Sequence, residues 1–385
     1  MKKIFKFIAA LLIGCLIGMG GSIACIALFS NMTIADFIEK LKNIAILEIL
    51  GVMIFSMVAA FVAGILQIII HEAGHLVTGL LSGYRFVSFR IFNYTILKTT
   101  EGLKVKKFGI SGTGGQCLLT PPDCPAEDLK FVLYNLGGIL FNLLFSAVAI
   151  ILWLNFSANE YARIFLMLFA LLGVLFALMN GIPMKLFVSN DGMNTKRLLA
   201  NMESRRIFAN SLRINALVQE GKRPKDLPEE YFWLPDEINF NDYFAIQQYN
   251  FVAGLCLDKE QYDDAYRMYG ELVAHKGEIL ELFYIEAACE LIYLSLLKGD
   301  KDKATELLDE KVEKYIMQYA KLMSSKLRVQ CAIALIKDEN TEKALEIYHE
   351  IYDKRDNYLM QGEVLMDLAL MESMFNKNGV KYEKQ

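Results

Sequence analysis

A chain of 385 residues with 54% hydrophobic content and a positive mean hydropathy is too long for one compact domain and too apolar to be solvated by water throughout, so part of it is expected to have lipid as its solvent. A net charge of −4, with no long basic run and no basic stripe interleaved with aromatics, argues against a nucleic-acid partner. The seven cysteines are odd in number, scattered and free of any CxxC pair, which argues against a disulfide framework and suits a reducing compartment for the C-terminal half.

Residues 4–29 follow Lys2 and Lys3, carry no charge beyond Lys6, and are long enough to span a bilayer as a helix. A cleaved signal peptide would begin in the same way, and Leu12-Ile13-Gly14-Cys15 even has the form of a lipoprotein cleavage box. The apolar run continues well past Cys15, however, so an uncleaved anchor is the preferred reading. Ile34, Phe37, Ile38 and Leu41 then fall at helical spacing among Asp36, Glu39, Lys40 and Lys42, as in a helix lying in the interface or in an ordinary linker. The next apolar stretch, residues 49–81, exceeds one perpendicular span and predicts tilt or protrusion.

From residue 84 to 122 the pattern changes. Phe86-Val87-Ser88-Phe89 and Tyr94-Thr95-Ile96-Leu97 read as strands, and a glycine-rich loop, GTGGQ at 112–116, precedes Pro121 and Pro122. A small sheet at the membrane surface is expected. The loop is a poor phosphate cradle, because the prolines stand where a helix N-terminus is required. Two further spans, 131–154 and 161–182, are joined by a short polar loop flanked by Trp153 and Tyr161, as in an aromatic belt. Basic residues cluster at Lys2, Lys3 and Lys6, at Arg85, Arg90, Lys104, Lys106 and Lys107, and at Lys185, Lys196 and Arg197. With four spans these segments share one side, so both termini and the sheet are expected in the cytoplasm.

Beyond a polar stretch containing Pro224, Pro228 and Pro235, three phrases recur about forty residues apart: Tyr262-Asp263-Asp264-Ala265, Asp300-Lys301-Asp302-Lys303-Ala304 and Thr341-Glu342-Lys343-Ala344. Each precedes an apolar helical pattern. The phrasing resembles degenerate tetratricopeptide repeats, and an array of helical hairpins is predicted.

The chemistry is concentrated in His71-Glu72-Ala73-Gly74-His75, inside the second apolar stretch. On a helix, histidines four residues apart share a face and can hold one zinc, with Glu72 beside them to take a proton from water. Two buried histidines bonded to polar neighbours are the plain alternative. Yet the chain has only four histidines, and a bilayer interior penalises polar groups without a task. A catalytic zinc needs a third protein ligand. The candidate is Asp191, after Asn180-Gly181-Ile182-Pro183, where glycine and proline break the helix; Asp191-Gly192 could equally mark a surface turn. Asn142, inside a span, could simply bond a neighbouring helix.

An HExxH motif in an early span, followed by a late span ending in Asn-x-x-Pro and then Asp-Gly, resembles the site-2 protease family of intramembrane zinc metalloproteases. The resemblance covers about residues 45–200. It implies zinc held by His71, His75 and Asp191, with Glu72 as catalytic base. Gly138-Ile139-Leu140-Phe141-Asn142 resembles the family's GxxxN element, which implies substrate positioning by Asn142, as does the Asn-x-x-Pro element for Asn180. The GTGGQ loop stands where family members place elements that guide an unwound substrate. Two departures stand out: seven residues separate Pro183 from Asp191, and no PDZ-like segment lies between the spans.

The expected fold is therefore mainly α: a membrane anchor and interfacial linker (1–43), a multi-pass transmembrane metalloprotease core with a small membrane-surface β element (44–200), a linker (201–240), a soluble α-helical hairpin repeat domain (241–375) and a tail (376–385). The expected activity is zinc-dependent hydrolysis of peptide bonds in membrane-protein substrates at the cell membrane, with the lipid bilayer as surroundings and a protein or peptide partner at the repeats. The competing readings are a catalytically inactive membrane scaffold that recruits partners through its repeats, and a metal transporter, for which a lone HExxH site and a large repeat array make poor provision.

Overall fold

The computed structural model describes residues 46–99, 102–109, 113–155, 159–184 and 189–383. The expected first span and the interfacial helix after it lie outside the described residues. The chain is mainly helical, with one four-stranded antiparallel sheet among the described residues. Three helical segments are long and apolar enough to cross a membrane: Leu50–Leu81, Ala126–Asn155 and Glu160–Gly181. They coincide with the expected second, third and fourth spans.

Two compact units are present. One combines Met1–Val62 with Ser157–Phe165, where the Phe55 and Tyr161 rings meet edge-on at 4.8 Å. The other, Ala63–Phe156 with Leu166–Gln385, contains the sheet, the site and the C-terminal helices.

The first described helix, α1 (Ile46–Leu81), stops where Gly83 adopts φ +88°, a conformation other residues resist, and Tyr84 N–H returns to Gly79 O. The chain then enters β1 (Arg85–Ile91), β2 (Tyr94–Thr99), β3 (Gly102–Lys107) and β4 (Gly115–Thr120), arranged β3-β2-β1-β4. Register pairs Phe89 with both Ile96 and Cys117, and a bulge lies between Phe86 and Ser88. Strand β4 is the sheet edge nearest α1. Gly79 makes this approach possible, since a Cβ there would fall 2.2 Å from Leu119 Cδ1.

Helices α2 (Phe131–Asn155) and α3 (Glu160–Gly181) follow, then α4 (Asp191–Ala200) and α5 (Met202–Gln219). The stretch 201–240, expected as a linker, thus holds an 18-residue helix and two short 3-10 turns, Pro224–Asp226 and Glu229–Phe232. Helix α5 is sandwiched. Its Ile207, Phe208, Leu212 and Ala216 share one core with Tyr84, Val87 and Leu119 of the sheet side, Tyr134 of α2, and Phe244 beyond it.

The C-terminal helices are α6 (Tyr243–Asp258), α7 (Tyr262–Ala274), α8 (Glu281–Leu297), α9 (Lys301–Leu307), α10 (Glu310–Tyr319), α11 (Ser324–Ala332), α12 (Thr341–Lys354) and α13 (Gln361–Lys377). The three recurring phrases open α7, α9 and α12, each packed against the helix before it. Several ties join this layer, the sheet and α5 to one another. Lys106 Nζ donates to Tyr358 O at 2.6 Å, Ser88 Oγ to Gln219 Oε1 at 3.1 Å, and Gly362 lies so close to Lys222 O that a Cβ would come within 2.0 Å.

The interior of this helical layer contains charge. Arg328 is fully buried, donates to Asp367 Oδ1 at 2.7 Å and pairs with Glu290, while Ser324 Oγ donates to the other Asp367 oxygen and Lys326 pairs with Glu286. Removing one partner of such a network leaves the other charge buried without compensation. Arg328→Leu is therefore expected to destabilise the folded state by about 3–5 kcal/mol, read as a lowered thermal midpoint. An unchanged midpoint would mean that Asp367 and Glu290 are neutral without Arg328.

Candidate metal centre

The site is assembled from three helices. His71, Glu72 and His75 lie on α1 and are each 8% exposed, which places both imidazoles on one face one turn apart. The third residue arrives from α4. Asn180-Gly181-Ile182-Pro183 ends α3, and Asn190 ties the two helices together: its Nδ2 donates to Met179 O and Ile182 O at 2.8 and 2.7 Å, and its Oδ1 accepts from Met193 N, capping α4. Gly192 lies against the end of α3, where a Cβ would fall 2.1 Å from Gly181 O. This close approach brings Asp191, the first residue of α4, to the histidines despite the seven-residue connection.

Asp191 Oδ2 lies 3.1 Å from His71 Nε2 and 3.4 Å from His75 Nε2, and the two Nε2 atoms are 3.1 Å apart. Among the described residues, His71, His75 and Asp191 are the group of His, Cys, Asp or Glu side chains whose ligand atoms converge, all within 4.8 Å of one another. His75 Nδ1 lies 2.8 Å from the main-chain carbonyl of Tyr134, which can only accept, so Nδ1 carries the proton and Nε2 turns a lone pair inward. Lone pairs on two nitrogens and one carboxylate oxygen face a common point, and a cation reconciles them. Two imidazoles with one carboxylate fit zinc, with a fourth position left for water or substrate, better than they fit calcium or magnesium.

Glu72 follows His71 with its carboxylate against the start of β4, where a Cβ on Gly115 would fall 2.6 Å from Glu72 Oε1. The glycine-rich loop expected to guide substrate therefore reaches Glu72. The sequence reading missed the residue that holds it there. Arg90, counted only as a basic residue of a surface segment, is 2% exposed and donates to Phe92 O, Thr113 Oγ1 and Gly115 O at 3.1, 2.8 and 3.0 Å. A cation in mid-strand, between the apolar Phe89 and Ile91, was the available signal.

The two expected substrate-positioning residues are placed differently. Asn142 is fully buried, with Oδ1 2.7 Å from His71 Nδ1 and Nδ2 donating to Gln67, so its polar atoms are already used inside the protein. Asn180 is half-buried, and its Nδ2 donates to Phe176 O of its own helix at 3.0 Å.

No family model, curated protein or solved structure matches this chain. The geometry alone carries the site.

The purified protein is expected to bind roughly one zinc per chain, and His75→Ala to abolish that binding, because few ligands share the ion. Gly192→Ala, which collides with a backbone carbonyl, should displace Asp191 and weaken zinc binding about tenfold or more in a chelator competition. Undiminished affinity in Gly192→Ala would remove Asp191 from the ligand set.

Proposed function

We propose that this protein is an intramembrane zinc metalloprotease of the site-2 type, hydrolysing peptide bonds of membrane proteins within or beside the bilayer. The observation that carries the reading is the convergence of His71, His75 and Asp191 beside Glu72, on helices apolar and long enough to cross a membrane. The expected orientation, with both termini in the cytoplasm, and a partner-binding role for the C-terminal helices belong to the same proposal.

When bound, zinc would supply Lewis-acid polarisation of the scissile carbonyl and lower the pKa of water. The remaining tasks fall to the chain. Glu72 takes a proton from the attacking water and passes it to the leaving nitrogen, the role that a carboxylate next to a metal ligand serves without being a ligand. His75 keeps its orientation through Tyr134 O, and Asp191 through the Asn190 cap. Strand β4 is a sheet edge among the described residues and its first residue, Gly115, lies against Glu72, so an extended peptide laid along the start of that strand would bring its main chain to the base. A helical substrate has its peptide groups already bonded and must unwind to do so.

Glu72→Gln is expected to retain zinc and fold while losing proteolysis, because a base is removed and no ligand is. Comparison of membrane proteomes from cells carrying wild type and Glu72→Gln should show a membrane protein that accumulates only in the variant. Identical proteomes, with no cleavage of co-expressed membrane reporters, would favour the scaffold reading.

A further inference from the structure

The four-residue spacing of Gly138 and Asn142 on α2 places both against His71. A Cβ at Gly138 would fall 2.5 Å from His71 Cε1, so the ring lies flat on the glycine, and one turn later Asn142 Oδ1 meets His71 Nδ1 at 2.7 Å. Which atom donates is decided further along the chain of bonds. Phe169 O on α3 can only accept, so the nitrogen of the Gln67 amide faces it, at 2.9 Å. That leaves Gln67 Oε1 toward Asn142, whose Nδ2 lies 2.7 Å away and also donates to the Gln67 main-chain carbonyl at 2.9 Å. Both N–H bonds of Asn142 are thereby committed to acceptors, and its Oδ1 is the atom turned to His71. An amide oxygen cannot donate, so His71 carries its proton on Nδ1 and presents the Nε2 lone pair to Asp191 and His75. Gln67 and Asn142 are both 0% exposed, and no water is needed to complete the series.

We infer that Asn142, held by Gln67, is a positioning residue that fixes the tautomer and ring orientation of His71 as a metal ligand. It acts through the ligand and leaves the substrate untouched. Gly173 is part of the same device, since a Cβ there would meet Gln67 Nε2 at 2.5 Å and Ser146 Oγ at 2.1 Å; only glycine lets α3 come close enough for Phe169 O to anchor the series. This role rests on the metalloprotease reading of the site.

The test is zinc affinity of the full-length protein in detergent or bilayer, measured by competition with a chelator, with thermal melting as a check of fold. Asn142→Leu, which has similar volume and no acceptor, is expected to weaken zinc binding by about 10–100-fold. Asn142→Asp keeps an acceptor toward Nδ1 and, protonated on its other oxygen, a donor toward Gln67, and is expected to retain clearly more affinity than Asn142→Leu. Gln67→Leu should have a smaller effect, because the Gln67 main-chain carbonyl still holds one N–H of Asn142. In the zinc-loaded wild type, ¹⁵N resonances of labelled histidine should report protonated Nδ1 at His71. Wild-type affinity in Asn142→Leu, or equal loss in the aspartate and leucine variants, would overturn the role. If Asn142→Leu does not fold, the aspartate variant and the nitrogen resonances decide the matter. A wild-type protein that binds no zinc would instead defeat the metalloprotease reading on which the role depends.

Discussion

Everything near the site follows from one constraint: two imidazole nitrogens and a carboxylate oxygen must be held within bonding reach of a common point inside a buried, largely apolar helix packing. Such groups repel and resist desolvation unless each is fixed by a bond on its far side. The far sides are the Tyr134 carbonyl for His75, the Asn142 amide for His71, and the Asn190 cap with its ties to Met179 and Ile182 for the start of α4. The glycines serve the same end. A Cβ at Gly74 would fall 2.3 Å from Gly137 O, so α1 and α2 meet almost backbone to backbone, the small-residue packing by which helices in lipid come close.

The site is not isolated from the rest of its unit. Tyr134, whose carbonyl holds His75, donates its hydroxyl to Cys117 O in β4 and shares a core with Phe208 of α5, and Phe208 meets Phe244 of α6 edge-on at 6.1 Å. A continuous apolar path therefore runs from a proposed metal ligand through the sheet side to the first of the C-terminal helices. That path is packing, and it ties the position of α2 to α5. It also explains why the C-terminal helices do not hang from a flexible tether: residues 201–240 lie between the two layers and contribute to both.

How much of this is legible in the sequence depends on how local each signal is. His71, Glu72 and His75 are legible because helical period alone puts them together. The spans are legible because lipid demands long apolar runs. Asp191 was reachable from its helix-breaking surroundings, but the Gly192 contact that brings it to the histidines depends on a fold-level approach. Asn142 stood out as a polar residue in a span, while its role depended on which neighbour its oxygen met, something no spacing on one helix reveals. Helix α5 was missed for a different reason. It is packed on most sides and buries Ser204, Asn210, Ser211 and Gln219 along with its apolar residues, so it lacks the one-sided pattern that marks a surface helix. Arg90 was misassigned because a charge in sequence is read as solvent-facing, and this one turns inward to bind main-chain carbonyls.

Charge balance gives these pieces a common logic. With two neutral imidazoles, Asp191 and Glu72 contribute two negative charges to a buried region, and a divalent cation cancels them. Without the cation, two carboxylates would share one buried region, with Arg90 as a nearby fixed positive charge whose hydrogen bonds are already directed at the loop. Protons can neutralise the carboxylates, but they would have to occupy the same Nε2 and Oδ2 atoms that the far-side bonds turn inward. Fixing His75 through Tyr134, and His71 through Asn142, removes the easy alternative of turning a ring over to present an N–H to Asp191. The polar bonds behind the ligands thus fix which nitrogen of each ring faces Asp191, a constraint that a bare pair of histidines four residues apart does not possess.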